Sequence, residues 1–252
     1  MNAGTATATI PGGTLGEAEF RAQFERFATT AAADRRGFSV EWSERLPCLQ
    51  DRTPSTGFDR HYVYHTAWAA RLLARLRPVE HVDVASSLYF ATLASAFVPV
   101  RYYEYRPVEL GLSNLACGQA DLTSLPFDDD SIPSMSCMHV VEHVGLGRYG
   151  DELDFDGDLK AIAELRRVLA PDGNLLFVVP VGRPRIQFNA HRIYGFDQVR
   201  EAFGDLELTE FSLVPDRRDG FGLIENASRE LADRQRYGCG CFWFRKGRGR
   251  RG

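Results

Sequence analysis

A chain of 252 residues with 44% hydrophobic and 25% charged side chains has ordinary globular composition, and its length suits one α/β domain with an N-terminal extension. A formal charge of −4 speaks against a general polyanion binder, and no apolar run approaches the roughly 20 residues that span a bilayer. Five cysteines (Cys48, Cys117, Cys137, Cys239, Cys241), odd in number and without a Cys-x-x-Cys pair, indicate neither a disulfide framework nor a zinc ribbon.

Taken in order, residues 1–16 are rich in Thr, Ala and Gly without a basic start or an apolar stretch, a poor signal peptide and an expected flexible N-terminus. A cytoplasmic, reducing setting is therefore expected. Phe20, Phe24 and Phe27 recur at helical spacing from Glu17 to Ala28, and Tyr64, Trp68, Leu72 and Leu76 do so from Asp59 to Leu76. These two helices are expected to form a helical cap over residues 17–78.

From Val79 the pattern changes to alternating strands and helices. Strands are expected at Val82–Ala85, Val98–Tyr105, near Gln119, at Ser134–Val141 and at Asn174–Pro180. Helices are expected at Leu88–Phe97, at Pro107–Leu115 with proline in the first turn, from an Asp158 cap to Leu169, and at Phe196–Phe203. Leu206–Val214 and Cys239–Phe244 close the domain as two strands on either side of an irregular insertion, with Cys239 and Cys241 packing on one face. Such β-α-β repetition predicts an α/β fold with a doubly wound, mostly parallel seven-stranded sheet over residues 79–246 and a ligand at the carboxyl ends of its strands. The basic stretch from Arg245, which leads into a tail over residues 247–252, reads as solvated, without the aromatic platform of a nucleic-acid site.

Three acids, Asp83, Glu104 and Asp121, fall at or just beyond strand ends. A nucleoside cofactor lying across the switch point asks for this set, because a carboxylate after the second strand accepts from ribose hydroxyls and one after the third accepts from an adenine amino group. The segments Val82-Asp-Val-Ala-Ser-Ser, Tyr103-Glu-Tyr-Arg-Pro, Ala120-Asp-Leu, Leu125-Pro-Phe-Asp-Asp-Asp-Ser-Ile, His139-Val-Val-Glu-His and Arg167-Val-Leu-Ala-Pro-Asp-Gly-Asn resemble, in order and spacing, the successive motifs of class I S-adenosylmethionine-dependent methyltransferases. Within that superfamily, the run from Cys137 to Asp151, Asn189-Ala-His-Arg-Ile-Tyr and Tyr237-Gly-Cys-Gly-Cys-Phe resemble an uncharacterised bacterial family known as a domain of unknown function.

The resemblance implies S-adenosylmethionine as cofactor. Asp83, Ala85, Ser86 and Ser87 would face its methionine part, Glu104 the ribose, Asp121 and the Leu122 backbone the adenine, His139 would lie against it, and Tyr105 is a further cofactor-binding candidate. The first loop departs from the superfamily, since Ala85-Ser-Ser-Leu-Tyr has no glycine to let the backbone approach a ligand.

Gly145-Leu-Gly-Arg-Tyr-Gly150 has the spacing of a dinucleotide fingerprint but follows the fourth strand, so it is expected to be a flexible substrate loop, with Tyr149, Asp151 and Arg192 as acceptor contacts. The acids Asp151 to Asp158 lack the closing ligand of a calcium loop and read as a solvated helix start. If the fourth strand continues through His139, then His139 and His143 share a face; if a helical turn begins, Glu142 approaches His139. In-line methyl transfer needs a positioned nucleophile and a base near neutrality. His143 is the candidate base, with Glu142 and His191 as the other catalytic candidates. A metal on His139, His143, Asp151 or His191 has sensible donors but no fixed ligand spacing, so none is expected. His61 and His65, four apart on the cap helix, are expected to pack or face solvent and not to bind metal. The expected activity is methylation, at oxygen, of a small or sugar-like hydroxylated acceptor. Two alternatives stay open: a non-catalytic member of the fold that binds a partner or glycan, and an enzyme that keeps the cofactor for another reaction.

Overall fold

The structure, a computed structural model, describes residues 13–31, 37–216 and 222–248. Most of the expected N-terminal extension and the last four residues of the basic tail lie outside the described residues. The chain divides into two units, Met1–Phe58 and Asp59–Gly252. In the first, helix α1 (Glu17–Ala31) turns Phe20 and Phe24 onto Trp42, with ring centroids 5.9 and 4.9 Å away. Phe27 of the same expected stripe is 64% exposed.

The second unit begins with α2 (Arg60–Leu76), whose Asp59 cap accepts from the backbone N–H of Tyr62 at 3.1 Å. This helix buries His65, Trp68, Ala69, Leu72 and Leu73, and its apolar face belongs to one core with α3 (Leu88–Ala94) and the sheet. It belongs to the same unit as the sheet.

Seven strands form the sheet: β1 (His81–Val84), β2 (Val100–Glu104), β3 (Leu115–Gln119), β4 (Ile132–Met138), β5 (Leu169–Val181), β8 (Leu206–Val214) and β9 (Gly238–Lys246). Their spatial order is β3-β2-β1-β4-β5-β9-β8, with only β9 running against the others. The order reverses between β1 and β4, where a doubly wound sheet opens a crevice for a ligand. Alternation along β5 supplies both faces: Leu175, Phe177 and Val179 enter one core, Leu176 and Val178 the other. On β9, Phe242 and Phe244 join the first core and Cys239 and Cys241 the second, as their spacing predicts. Helices α4 (Gly157–Val168), α5 (Phe196–Ala202) and α6 (Arg229–Asp233) complete the unit, with a small hairpin of β6 (Arg185–Gln187) and β7 (His191–Ile193) that the sequence reading omitted.

Two expected local features differ. Residues 105–114 contain no helix; they run irregularly into β3, with Asn114 at φ 58°. So short a segment, interrupted by Gly111, cannot offset helix nucleation without a packed face. The N-cap of α4 is Asp156, whereas Asp158 is buried and accepts from the Tyr194 hydroxyl at 2.9 Å.

Candidate active site

A cavity of about 590 Å3 opens at the carboxyl end of the sheet, lined from the ends of β1, β2 and β4 and the loop after β3. Of the residues expected at a cofactor, Ala85, Glu104, Tyr105, Asp121, Leu122 and His139 line it. Glu104 ends β2; Oε2 accepts from the Tyr102 hydroxyl at 3.3 Å and Oε1 from the Arg106 N–H at 3.4 Å, both long, so the carboxylate keeps accepting capacity. Asp121 uses Oδ1 to accept from the backbone and hydroxyl of Thr123, at 2.8 and 2.7 Å, which leaves Oδ2.

Asp83 and Ser86, by contrast, are turned inward. The Asp83 carboxylate accepts from the Ser86 N–H at 3.1 Å and, closely, from the Ser136 hydroxyl of β4, while Ser86 Oγ accepts from the Met138 N–H at 3.0 Å. The polar chain continues from Ser136 through the buried ring of His81 to Ser134, with contacts of 2.9 and 2.8 Å. These groups fasten the first loop and β1 to β4. Complete burial pushes the Asp83 carboxyl up to about 7. Ser87 stands at the N-cap of α3, and neither it, Asp83 nor Ser86 lines the cavity. Ala85 adopts φ 55°, a conformation that glycine takes without strain.

At the end of β4 the chain turns sharply. His139 adopts φ 58°, and a single 3-10 turn over Val141–His143 follows. The turn alternative therefore holds: Glu142 folds back so that its Oε1 lies 2.7 Å from His139 Nδ1. Burial pushes the Glu142 carboxyl up to about 7 and lowers His139 to about 4. His143 also lines the cavity, and its Nδ1–H donates to the carbonyl of Ala190 at 2.6 Å. Nδ1 is thereby the protonated nitrogen, and Nε2 carries the lone pair. Burial lowers the His143 pKa from its ordinary value of 6.5. His191 stands nearby, its ring 6.2 Å from His143 and its Nε2 2.7 Å from Gln187 Oε1.

The acceptor contacts expected on the glycine-containing loop divide. Tyr149 lines the cavity 5.8 Å from the His143 ring, and the Arg106 guanidinium lies 4.7 Å from it, joining the loops after β2 and β4. Asp151 lines the cavity too, but Oδ2 accepts from the backbones of Gly145 and Gly147 at 2.8 and 3.3 Å, and Oδ1 from Tyr149 at 3.1 Å. Arg192 does not line the cavity. It is 5% exposed and donates to the carbonyls of Val144, Asp154 and Phe155 at 2.6, 3.3 and 2.9 Å, with Asp158 at 3.4 Å. The loop is held from two sides, since a carboxylate gathers its N–H groups and a guanidinium its carbonyls.

The fold finds counterparts in solved structures. The 1,6-didemethyltoxoflavin-N1-methyltransferase of Burkholderia thailandensis, with bound S-adenosylhomocysteine, superposes with a TM-score of 0.53 at 13% identity over 95% of this chain and 94% of that one. The N-methyltransferase NodS of Bradyrhizobium japonicum, also holding S-adenosylhomocysteine, gives 0.51 at 14% identity over 74% and 87% of the two chains. A putative sarcosine dimethylglycine methyltransferase of Galdieria sulphuraria gives 0.53 at 16% identity over 73% and 86%. The fold is that of class I S-adenosylmethionine-dependent methyltransferases.

By sequence, residues 129–211 match a family described as Caenorhabditis protein of unknown function, DUF268, about a third of the chain. That stretch contains the His139 to His143 turn, the glycine-containing loop and His191. The resemblance to a domain of unknown function is met there, but its description names Caenorhabditis, not the bacterial family expected. No curated protein matches the chain by sequence. Among the described residues, no helix is long and apolar enough to cross a membrane.

Sequence reasoning missed the part that α2 and β9 play here. His61 stacks 5.2 Å from the His139 ring and 4.9 Å from Tyr237, and His65 meets His139 edge-on at 5.1 Å. The available signal was the spacing of His61 and His65, one helical turn apart and so on one face of α2.

Proposed function

We propose that the protein is an S-adenosylmethionine-dependent methyltransferase acting on an oxygen of a small or sugar-like hydroxylated acceptor. The observation that carries this reading is the cavity at the switch point, which has the acids Glu104 and Asp121 on one side and the lone-pair nitrogen of His143 among its lining residues. Both acids retain accepting capacity, Glu104 through two long contacts and Asp121 through Oδ2, as a nucleoside's hydroxyl and amino groups require, so the residues fit the cofactor. Glu104 would hold the ribose, and Asp121 with the Leu122 backbone the adenine. S-Adenosylmethionine, when bound, supplies an electrophilic methyl group on a sulfonium.

His143 Nε2 would take the proton of the acceptor hydroxyl, and the Ala190 carbonyl holds the ring in the tautomer this requires. Tyr149 would bound the acceptor space, and Glu142 keeps a carboxyl oxygen 3.9 Å from His143 Nε2, where it stabilises the imidazolium formed on proton uptake.

A second reading, a member of the fold that does not transfer methyl groups, draws support from Asp83 and Ser86, which are engaged inside the protein instead of lining the cavity. Thermal unfolding with and without S-adenosylhomocysteine separates the two. At a hundred times its dissociation constant the ligand stabilises a binding-competent fold by roughly 2.7 kcal/mol. A shift in the wild type that is reduced in Glu104→Ala supports the cofactor site. No shift in either sinks the methyltransferase reading.

A further inference from the structure

Five of the six histidines, His61, His65, His139, His143 and His191, converge at the mouth of the sheet, and the buried ones are incompletely partnered. His139 Nε2, His65 Nε2 and Glu142 Oε2 are all buried without a hydrogen-bond partner. Native proteins rarely leave such groups unmatched, and each asks what it faces. His139 has its Nδ1 engaged by Glu142 at 2.7 Å, so its remaining nitrogen carries an unused lone pair directed into the protein. One donor atom each of His61, His139 and Cys239 lie within 4.8 Å of one another.

We infer that His61, His139 and Cys239 form a binding site for a zinc-class divalent transition-metal ion. The donors come from three elements of one unit, α2, the turn after β4 and β9, so the fold itself assembles them. Tetrahedral zinc, with bonds of roughly 2.0–2.3 Å, places its ligands roughly 3.3–3.8 Å apart, so side-chain adjustments of about 1 Å close this set on an ion. Two imidazoles and a thiol are borderline-to-soft donors; they select zinc, cobalt and their neighbours over magnesium or calcium.

The surroundings have the outer shell such a site needs. Glu142 holds the far nitrogen of His139, a carboxylate–histidine–metal arrangement that fixes the ring and raises its basicity. The Tyr237 carbonyl accepts from His61 Nε2 at 3.3 Å and fixes that ring as well. A bound dication would also compensate the Glu142 carboxylate, which among the described residues is paired with histidines alone. Three protein ligands leave a fourth position, the arrangement of ions that also bind a water or substrate oxygen. Of the three donor residues, only His139 lines the cavity.

The test reads the ion itself and does not depend on methyl transfer. The full chain, without a histidine tag and stripped with a chelator, is titrated anaerobically with Co2+ and then with Zn2+. The expected result is one equivalent of Co2+ per chain, with the intense visible bands of tetrahedral cobalt, a near-ultraviolet thiolate-to-metal charge-transfer band, and displacement by Zn2+. Cys239→Ser removes the charge-transfer band. Cys241→Ser, whose sulfur lies 3.9 Å from that of Cys239 but outside the donor set, retains it. Glu142→Gln weakens Zn2+ binding about 10–100-fold, and circular dichroism checks that each variant is folded. Failure of the wild type to retain Co2+ or Zn2+ overturns the inference, as does a charge-transfer band that survives in Cys239→Ser. Because wild-type stoichiometry decides the first of these, an unfolded variant does not protect the proposal.

Discussion

The Nδ1 atom of His143 lies 2.6 Å from the carbonyl oxygen of Ala190, a residue 47 positions away in the loop between β6 and β7. A carbonyl can only accept, so the contact fixes the imidazole tautomer and leaves Nε2 as a proton acceptor. Replacing His143 by Gln preserves much of the shape and removes the base. Turnover is expected to fall about 10²–10⁴-fold while S-adenosylhomocysteine affinity changes by less than about threefold. Because burial lowers the His143 pKa below 6.5, the neutral base predominates at neutrality. The rate should be flat above neutral pH and fall as the medium becomes acidic; initial rates against pH, beside a calorimetric titration of the variant, check both parts.

Glu104 sits where β2 ends and lines the cavity with two long internal contacts. If it accepts ribose hydroxyls, Glu104→Ala leaves those hydroxyls unmatched at a cost of about 1–3 kcal/mol, or roughly 5- to 150-fold in S-adenosylhomocysteine dissociation constant. Asp121→Asn keeps one accepting oxygen at an exposed position and should cost less. Equal effects of the two changes on calorimetric affinity would contradict this assignment.

Asp83 is fully buried, and its carboxyl is raised from 3.8 to about 7 by desolvation. The folded protein therefore binds a proton that the unfolded chain has released between these values, so this contribution is complete below the lower one and is lost as pH rises through the upper. Between about pH 5 and about pH 7 it amounts to about 2–3 kcal/mol. Asp83→Asn removes the slope. The neutral amide can donate to Ser136, and the His81 ring can reverse its tautomer so that the chain to Ser134 stays matched. Urea unfolding of both proteins at several pH values should show the variant gaining on the wild type as pH rises; parallel profiles would refute the account.

Much of the sheet was legible because a two-residue alternation and β-rich runs report local burial directly. Leu206–Val214 and the α5 region lie where the pattern put them, and Glu104 and Asp121 line the cavity because strand ends in a doubly wound order fix where their side chains emerge. The segment from Pro107 was misread because helical spacing does not say whether a neighbour exists to cover the helix. Arg192 looked like an acceptor contact; only the fold shows that its two terminal nitrogens donate to the carbonyls of Val144, Asp154 and Phe155 in the stretch ahead of α4. His61 and Cys239, 178 positions apart, carried no sign of proximity, since their meeting depends on α2 and β9 packing at the same end of the sheet.

The glycine-free first loop makes its own prediction. Ala85 holds φ 55°, and its N–H donates to the Tyr103 carbonyl at 2.7 Å, so the conformation is imposed by the β1–β2 crossover and not by the residue. A left-handed alanine is strained by about 1–2 kcal/mol, part of which glycine gives back through its greater unfolded-state freedom. Ala85→Gly should therefore stabilise the protein by about 0.5–1 kcal/mol, read as a raised Tm. A lowered Tm would mean that the methyl group's packing outweighs the strain.

Arg192 carries the last prediction. Its guanidinium bridges the carbonyls of Val144, Asp154 and Phe155 and faces Asp158, which also receives the Tyr194 hydroxyl. A lysine ammonium, a point donor on a flexible stem, cannot reach three carbonyls and a carboxylate from one place. Arg192→Lys should destabilise the protein by about 2–4 kcal/mol, and Arg192→Met by more, because buried Asp158 then loses its ion-pair partner and keeps the Tyr194 hydroxyl. The loop itself supplies the sharper readout. Amide exchange at residues 145–157 should accelerate in Arg192→Lys under conditions where β5 remains protected, which would locate the loss in the loop and not in the sheet. Unchanged exchange there would mean that the Asp151 carboxylate, through Gly145, Gly147 and Tyr149, is sufficient to hold the loop in place.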